Sequence, residues 1–147
     1  MVIYGAWTDY TKELNVEIER MGLSQNVIFL GLVKDTHLEK LYRNAVTYIY
    51  TAPQEDFGMG VIEAMGAGVP VIAWDNGGPG RIVINESTGC LIKKDDVESF
   101  TEELIRVTRD SNLIMKMGKN AILRVKNNFS WTNHFLTIEQ SLRSLIN

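Results

Sequence analysis

Two glutamates eight positions apart, Glu55 and Glu63, are the residues of this sequence best placed to do chemistry. A glycine-containing turn between them opens a short predicted helix. The first amides of a helix have no intrahelical partner and carry the positive end of its dipole, so the amides from Gly58 to Val61 can hold an anion. Carboxylates beside such an anion are poor phosphate ligands but good acceptors for sugar hydroxyls. The spacing therefore predicts a site for a phosphate and a sugar.

The two carboxylates are expected to have different partners. Glu55 comes just before the helix, where it can meet a neutral hexose, whereas Glu63 lies about one turn inside, where it can reach a ribose diol. The plain alternatives are a solvated loop acid for Glu55 and an acid that complements the helix dipole for Glu63. Turn chemistry alone is the alternative for the residues that would act through their backbone, which are Phe57, Gly58, Met59 and Gly60.

The elements that must position these residues alternate along the chain. The β-prone apolar runs are residues 2–4, 27–30, 47–50, 69–73 and 90–92. Helical patterns lie between them at residues 10–21, 38–44, 59–67 and 82–84, and then follow one another at residues 96–108, 112–125 and 131–146. Strands that are apolar on both faces and alternate with helices predict an α/β fold, with a Rossmann-like parallel sheet flanked by helices and a helical C-terminal end. Ligands bind at the carboxyl ends of such strands.

Composition limits the class of protein. With 147 residues and 45% hydrophobic residues, residues 1–147 are expected to form a single domain. The net charge of −3 gives no basic excess for nucleic acid or an anionic membrane. A lone cysteine, Cys90, lies in an apolar run and is expected to be a small buried hydrophobe, which suits a reducing cytosol. No run is long enough for a signal peptide or a membrane span.

Several motifs together resemble those of a known family. They are the pair Glu55 and Glu63 with Phe57-Gly58 between them, the run Glu63-Ala64-Met65-x-x-Gly68-x-Pro70-Val71-Ile72-Ala73, the loop Gly77-Gly78-Pro79, the run Val27-Ile28-Phe29-Leu30-Gly31, and Phe129-Ser130-Trp131. In these the chain resembles retaining glycosyltransferases of family 4 (group 1), which have two Rossmann-like domains in the GT-B arrangement. The resemblance covers essentially the whole chain and is to the C-terminal, donor-nucleotide domain. The Gly-Gly-Pro loop is similar to that of the family's mannosyltransferases.

The resemblance implies a function for the matched residues. Relatives transfer a hexose from a nucleotide diphosphate sugar, such as GDP-mannose or a UDP sugar, to an acceptor hydroxyl with retention at the anomeric carbon. By this resemblance Glu55 orients the hexose, Glu63 binds the ribose, the amides from Phe57 to Val61 meet the diphosphate, and the backbone of Val33 holds the base. A core or edge valine remains an equal alternative for Val33. No cofactor and no divalent metal are implied.

Two departures from the family bear on activity. Arg81 stands where relatives usually carry a glutamate two residues after the proline, so it either helps neutralise a diphosphate or marks a degenerate site. The family's donor domain opens with a loop carrying an arginine and a lysine that clamp the diphosphate, and an N-terminal acceptor domain precedes it. Neither has a counterpart here. We therefore expect a fragment that binds donor weakly and does not turn over.

The remaining expectations concern partners and alternatives. His37 and His134 are isolated, so no metal site is predicted. A cytoplasmic location is expected, with membrane contact only through the whole protein, peripheral at the inner face. The main alternative function is a non-catalytic nucleotide-binding or interaction module on the same fold, favoured by Arg81 and opposed by the intact glutamate pair. A sugar-nucleotide epimerase would need catalytic groups that are not evident.

Overall fold

The computed structural model of the protein describes residues 1–146. Its strands are β1 (Val2–Ile3), β2 (Ile28–Phe29), β3 (Tyr48–Tyr50), β4 (Val71–Trp74) and β5 (Gly89–Ile92). Its helices are α1 (Asp9–Arg20), α2 (Asp35–Arg43), α3 (Met59–Gly66), α4 (Gly77–Ile82), α5 (Val97–Arg109), α6 (Ser111–Asn128) and α7 (Trp131–Ile146). Every named strand pair is parallel, so the predicted α/β class with parallel strands and a helical end is confirmed.

One predicted helix was wrong. The pattern at residues 82–84 predicted a helix there, but α4 occupies Gly77–Ile82 and ends where that helix was to begin. Glycines are poor helix formers, so a sequence pattern gives little reason to place a helix on a segment that contains three of them. The contacts supply the reason, because a Cβ atom on Gly78 would lie 2.0 Å from the carbonyl oxygen of Phe57. Close backbone approach, not propensity, determines the sequence of α4.

The chain divides into two compact units, residues 1–41 and the segment from Tyr42 onwards. In the first unit β1 pairs with β2, with Val2 opposite Ile28. Helix α1 begins with a capping box, in which the Thr8 hydroxyl accepts from the Thr11 amide and the Thr11 hydroxyl accepts from the Thr8 amide. Reciprocal capping of this kind satisfies two amide groups at a helix start, which fixes where α1 begins.

The second unit is built on the sheet β3-β4-β5, with β4 in the centre. All four residues of β4 are buried, as expected for a central parallel strand covered on both faces. A core cluster of buried residues joins this sheet to the helices and contains Ile72, Trp74, Cys90, Ile92, Phe100, Val107 and Met117. The packing of this core fixes the carboxyl end of β3, from which the predicted site begins.

Glycines set the junction between α3 and β4. Gly68 has a φ of +83°, the left-handed conformation that glycine commonly adopts just after a helix. A Cβ atom on Gly118 of α6 would lie 2.3 Å from the carbonyl oxygen of Gly68, so α6 approaches this turn closely. A Cβ atom on Gly66 would meet the side chain of Val125 of α6, at an ordinary contact distance of 3.7 Å. It therefore faces a helix and not the sheet.

The three C-terminal helices start at capped positions. Asp96 accepts from the Ser99 amide, Asp110 from the amides of Asn112 and Leu113, and the Ser130 hydroxyl from the Asn133 amide. Trp131, at the start of α7, is 76% exposed. No helix within residues 1–146 combines the length and apolar character that a bilayer crossing requires.

Candidate functional site

The predicted site lies at the carboxyl end of β3 and the start of α3. β3 ends at Tyr50, α3 begins at Met59, and the connecting loop carries Glu55. The residue before the helix, Gly58, has a φ of +94° and is buried. Only glycine adopts that backbone conformation without strain, and the position also lies 3.6 Å or less from Pro79 and Ile82 when a Cβ atom is added. Gly58 therefore allows the sharp entry into α3.

The Glu55 carboxylate is held by three donors. Its Oε1 atom accepts from the amides of Phe57 at 3.1 Å and Gly58 at 2.8 Å, and its Oε2 atom accepts from the Tyr50 hydroxyl at 2.5 Å. The Tyr50 hydroxyl, followed by the two amides, lowers the pKa of Glu55 below its usual value. The carboxylate is therefore ionised at neutral pH, fixed in orientation, and able only to accept hydrogen bonds.

These contacts change which amides are free to meet an anion. The amides of Phe57 and Gly58 already donate to Glu55, and those of Val61 and Ile62 donate to the carbonyl oxygen of Gly58. The first-turn amides of α3 that neither acceptor takes are those of Met59 and Gly60. Phosphate binding by the amides from Phe57 to Val61 stays a prediction. That prediction is best supported for Met59 and Gly60, whose amides neither acceptor takes.

The second glutamate is held by a different tyrosine. Glu63 lies in the middle of α3 with an exposed side chain, and its Oε2 atom accepts from the Tyr42 hydroxyl at 3.2 Å. Tyr42 is 5% exposed, so this hydroxyl comes from the protein interior. Glu63 thus keeps one side of its carboxylate turned to a fixed donor and the rest open to solvent, as a ribose contact would require.

Sequence reasoning missed the tyrosines behind this site. The rings of Tyr42 and Tyr48 meet edge to face at 5.6 Å, and those of Tyr48 and Tyr50 lie 5.9 Å apart. The alternation of Tyr48 and Tyr50 along β3 was the available signal, since residues i and i+2 of a strand share a face. A Cβ atom on Gly60 would lie 2.8 Å from the Tyr48 hydroxyl, so Gly60 leaves room for a tyrosine as well as for any ligand.

The Gly77-Gly78-Pro79 loop packs against the backbone of the Glu55 loop. The Gly78 amide donates to the Glu55 carbonyl oxygen at 2.8 Å. A Cβ atom on Gly77 would lie 2.1 Å from that same oxygen, so neither glycine tolerates a side chain. Asn76 and Lys94 both donate to the carbonyl oxygen of Pro53, at 2.9 and 3.1 Å. These contacts give the loop a structural role in fixing the backbone around Glu55.

Two further candidates, Arg81 and Val33, take no part in these contacts. Arg81 is exposed at the end of α4, and its guanidinium has no hydrogen-bond or ion-pair partner among residues 1–146. It is therefore available to an anion. Val33 is half-buried in the first unit, between β2 and α2. Its backbone contact with a base stays a prediction.

A second cluster of acids, which sequence reasoning missed, lies at β5 and α5. Ligand atoms of Glu86, Cys90 and Glu103 lie within 4.8 Å of one another. The cation already there is Arg106, whose Nη2 atom donates to Glu86 at 2.7 Å and to Glu103 at 2.6 Å. Burial and then Glu103 raise the pKa of the Cys90 thiol to about 12. Cys90 is buried as predicted, but its neighbours are charged.

Two histidines and two tryptophans lie elsewhere in the chain. His37 and His134 are both exposed, as predicted. Trp74 packs in the core against Phe100, with ring centroids 4.6 Å apart, rather than beside a cleft. Trp7 is 60% exposed, and its ring packs against that of Phe29 with centroids 5.8 Å apart. None of these residues contributes a donor or acceptor to the Glu55 loop in the part of the chain that the structure describes.

Comparison with known proteins gives a consistent result. The sequence model of the family described as "Glycosyl transferases group 1" matches residues 1–124. The chain is 33% identical to alpha-1,3/1,6-mannosyltransferase ALG2 of Dictyostelium discoideum, over 94% of this chain and 32% of that protein. It is 28% identical to the lipopolysaccharide core biosynthesis mannosyltransferase LpcC of Rhizobium leguminosarum bv. viciae, over 93% of this chain and 38% of that protein.

Solved structures agree with this result. The crystal structure of Anabaena Alr3699/HepE in complex with UDP superposes with a TM-score of 0.89 at 26% identity, over 97% of this chain and 40% of that one. The same Anabaena protein in complex with UDP-glucose gives a TM-score of 0.86. The chain spans about a third of the length of the curated relatives it matches.

Proposed function

The chain belongs to the group 1 glycosyl transferases, and on that premise we propose that it binds the donor in the retaining transfer of a hexose from a nucleotide diphosphate sugar to an acceptor hydroxyl. The observation that carries this proposal is the pair of oriented carboxylates, one in the loop before α3 and one within α3. Glu55 is fixed beside the first turn by two amides and Tyr50, and Glu63 is fixed within the helix by Tyr42. Between them lie the first amides of α3, suited to an anion.

Each residue has a distinct role in this proposal. Glu55 accepts hydroxyls of the transferred hexose, and Glu63 accepts the ribose diol. Met59 and Gly60 donate their amides to the diphosphate, with Val61 closing the first turn of the helix. Phe57 and Gly58 act through Glu55, whose carboxylate their amides orient. Val33 contributes a backbone contact to the base.

The chemistry follows from where charge develops. As the bond to the diphosphate breaks, the sugar becomes oxocarbenium-like and negative charge grows on the leaving phosphate. Helix amides that already point at the phosphate stabilise that charge without reorganising. Arg81 is exposed in the same unit and available to an anion. In this proposal the acceptor attacks the face the phosphate leaves, the phosphate oxygen takes the acceptor proton, and no divalent metal takes part.

The donor is proposed to be GDP-mannose or a UDP sugar. Two of the relatives are named as mannosyltransferases, and the Anabaena structure is a complex with UDP. These names support a nucleotide sugar and leave both bases in the proposal. Because the chain spans about a third of its relatives, we assign the acceptor to a further domain of the whole protein. We place that protein in the cytoplasm, peripheral to the inner membrane face.

One observation favours the alternative of a non-catalytic nucleotide-binding or interaction module. Two amides at the start of α3 already donate to Glu55, and Arg81 stands at a position where relatives carry an acid. Amides that already donate within the protein are not free for a reacting phosphate, so fewer hydrogen-bond donors remain for it. The alternative predicts that free nucleotide and nucleotide sugar bind equally well.

The test separates the roles of the two glutamates. The 147-residue chain is titrated by NMR with GDP, GDP-mannose, UDP and UDP-glucose. Glu63→Ala is expected to weaken the free nucleotide about tenfold, whereas Glu55→Ala leaves the free nucleotide nearly unchanged and removes the advantage of the nucleotide sugar. Glu102→Ala, an exposed acid of α5, is the matched control. Equal losses of free-nucleotide affinity in both site variants contradict the proposed division.

A further inference from the structure

The two carboxylates of the proposed donor site share a feature that the family motif does not contain. Each accepts a hydrogen bond from a tyrosine hydroxyl, Glu55 from Tyr50 at 2.5 Å and Glu63 from Tyr42 at 3.2 Å. The two tyrosines come from different elements, Tyr50 from β3 and Tyr42 from α2. Two independent elements therefore deliver the same kind of donor to the acid that precedes α3 and to the acid within it.

A third tyrosine joins these two into one layer. The Tyr48 ring lies 5.6 Å from that of Tyr42 and 5.9 Å from that of Tyr50. Aromatic rings at such separations attract one another beyond the area they bury, so the three rings constrain one another. Gly60 of α3 lies against the layer, because a Cβ atom there would come within 2.8 Å of the Tyr48 hydroxyl and 3.7 Å of the Tyr42 hydroxyl. The layer thus supports the helix that carries the amides.

We propose that Tyr50 and Tyr42 are positioning residues for donor binding, Tyr50 orienting Glu55 toward the hexose and Tyr42 orienting Glu63 toward the ribose. This inference rests on the proposed function. It adds two residues, and a reason for their type, to a site that is otherwise defined by its glutamates and helix amides. Neither tyrosine touches the donor in this assignment, and each acts through its carboxylate.

The choice of tyrosine has a physical reason. A carboxylate offers about four lone-pair positions, and the three donors on Glu55 leave capacity for one sugar hydroxyl. A hydroxyl donor fixes the carboxylate and leaves its negative charge in place, whereas a guanidinium or ammonium would neutralise that charge. A basic side chain would also attract the diphosphate to the wrong group. A neutral donor avoids both effects.

The test uses substitutions that remove a hydroxyl and keep the ring. In NMR titrations of the 147-residue chain, Tyr50→Phe is expected to weaken GDP-mannose or UDP-glucose about five- to tenfold while leaving GDP and UDP unchanged. Tyr42→Phe is expected to weaken the free nucleotide and the nucleotide sugar by the same factor. Each variant is thus the other's control, since a general loss of structure would not separate the two ligands.

A double-mutant cycle decides whether Tyr50 acts through Glu55. In a Glu55→Ala background, Tyr50→Phe is expected to cause no further loss of nucleotide-sugar affinity, because its partner is absent. Additive losses would overturn the inference, as would Tyr50→Phe binding like the unsubstituted chain. Should Tyr42→Phe fail to fold, because Tyr42 is buried, the Tyr50 cycle still decides. If the unsubstituted chain binds none of the four ligands, the proposed function is overturned, and this inference with it.

Discussion

Two clusters of glutamates in the same unit show how differently a protein can use one residue type. At α3, neutral donors hold the acids: amides and the Tyr50 hydroxyl for Glu55, and the Tyr42 hydroxyl for Glu63. At β5 and α5, one guanidinium, that of Arg106, holds both Glu86 and Glu103. The first cluster keeps its full negative charge and its capacity to accept, whereas one positive charge in the second offsets that of one carboxylate. The type of donor therefore distinguishes the proposed donor site from a structural contact.

The largest expected effect is on the free energy of unfolding. It comes from a substitution in the Gly77-Gly78-Pro79 loop, which contacts the backbone of the Glu55 loop. A Cβ atom on Gly78 would lie 2.0 Å from the Phe57 carbonyl oxygen, which is backbone and cannot move aside alone. We expect Gly78→Ala to lower the free energy of unfolding by about 3 kcal/mol, measured by urea denaturation.

Gly66→Ala is the matched control for Gly78→Ala. Its Cβ would meet Val125 at 3.7 Å, an ordinary contact, so the change should be neutral or slightly stabilising. Similar losses in both variants would mean that the two loops do not pack as described.

The charged cluster should contribute stability and no binding. Arg106→Ala removes the guanidinium shared by Glu86 and Glu103, whose side chains are partly exposed and therefore screened by solvent. We expect a loss of about 1 kcal/mol in the free energy of unfolding. Nucleotide titrations of this variant should match those of the unsubstituted chain. Weakened nucleotide binding would remove the distinction between the two clusters.

The thiol of the charged cluster gives a test by pH. A pKa of about 12 for Cys90 in the folded state lies above that of an unfolded thiol, so the folded state favours the protonated form. Its contribution to stability is present below the unfolded pKa and is lost as the pH rises toward the folded one. At about pH 9 a thiol reagent should label the folded chain only as fast as it unfolds, and the urea-unfolded chain at once. Fast labelling of the folded chain would contradict the assigned surroundings.

The smallest expected effect is that of metal removal. Since neither cluster is assigned a divalent ion, EDTA should leave the NMR titration with GDP or UDP unchanged. A titration that EDTA abolishes, and that added magnesium restores, would show that the acids of α3 had been misinterpreted.

The sequence predicted the elements of the site better than its contacts. The buried strand β4 follows from an apolar run, and the start of α3 follows from the glycine before Met59. The pair Tyr42 and Glu63, by contrast, lies 21 residues apart in sequence, and Arg106 and Glu86 lie 20 apart. Periodicity reports local geometry only, so it cannot pair such residues.

Periodicity also failed to predict a contact at short range, in which the Glu55 carboxylate accepts from the amides of Phe57 and Gly58. The spacing of Glu55 and the helix start predicted free amides for an anion, but a side chain four residues before α3 can reach amides of this run itself. Rotamer choice decides between these outcomes, and it depends on the Tyr50 hydroxyl that fixes the other carboxylate oxygen. A donor outside the motif thus determines what the motif does.

Chemical-shift mapping of backbone amides tests the central claim most directly. The claim is that the neutral-donor cluster of α3, and not the charged cluster of α5, receives a nucleotide sugar. Adding GDP-mannose or UDP-glucose to the 147-residue chain should shift the amides of residues 55–63, with the largest changes at Met59 and Gly60. Shifts centred on Glu86 and Glu103, or none at the start of α3 at saturating ligand, would contradict it.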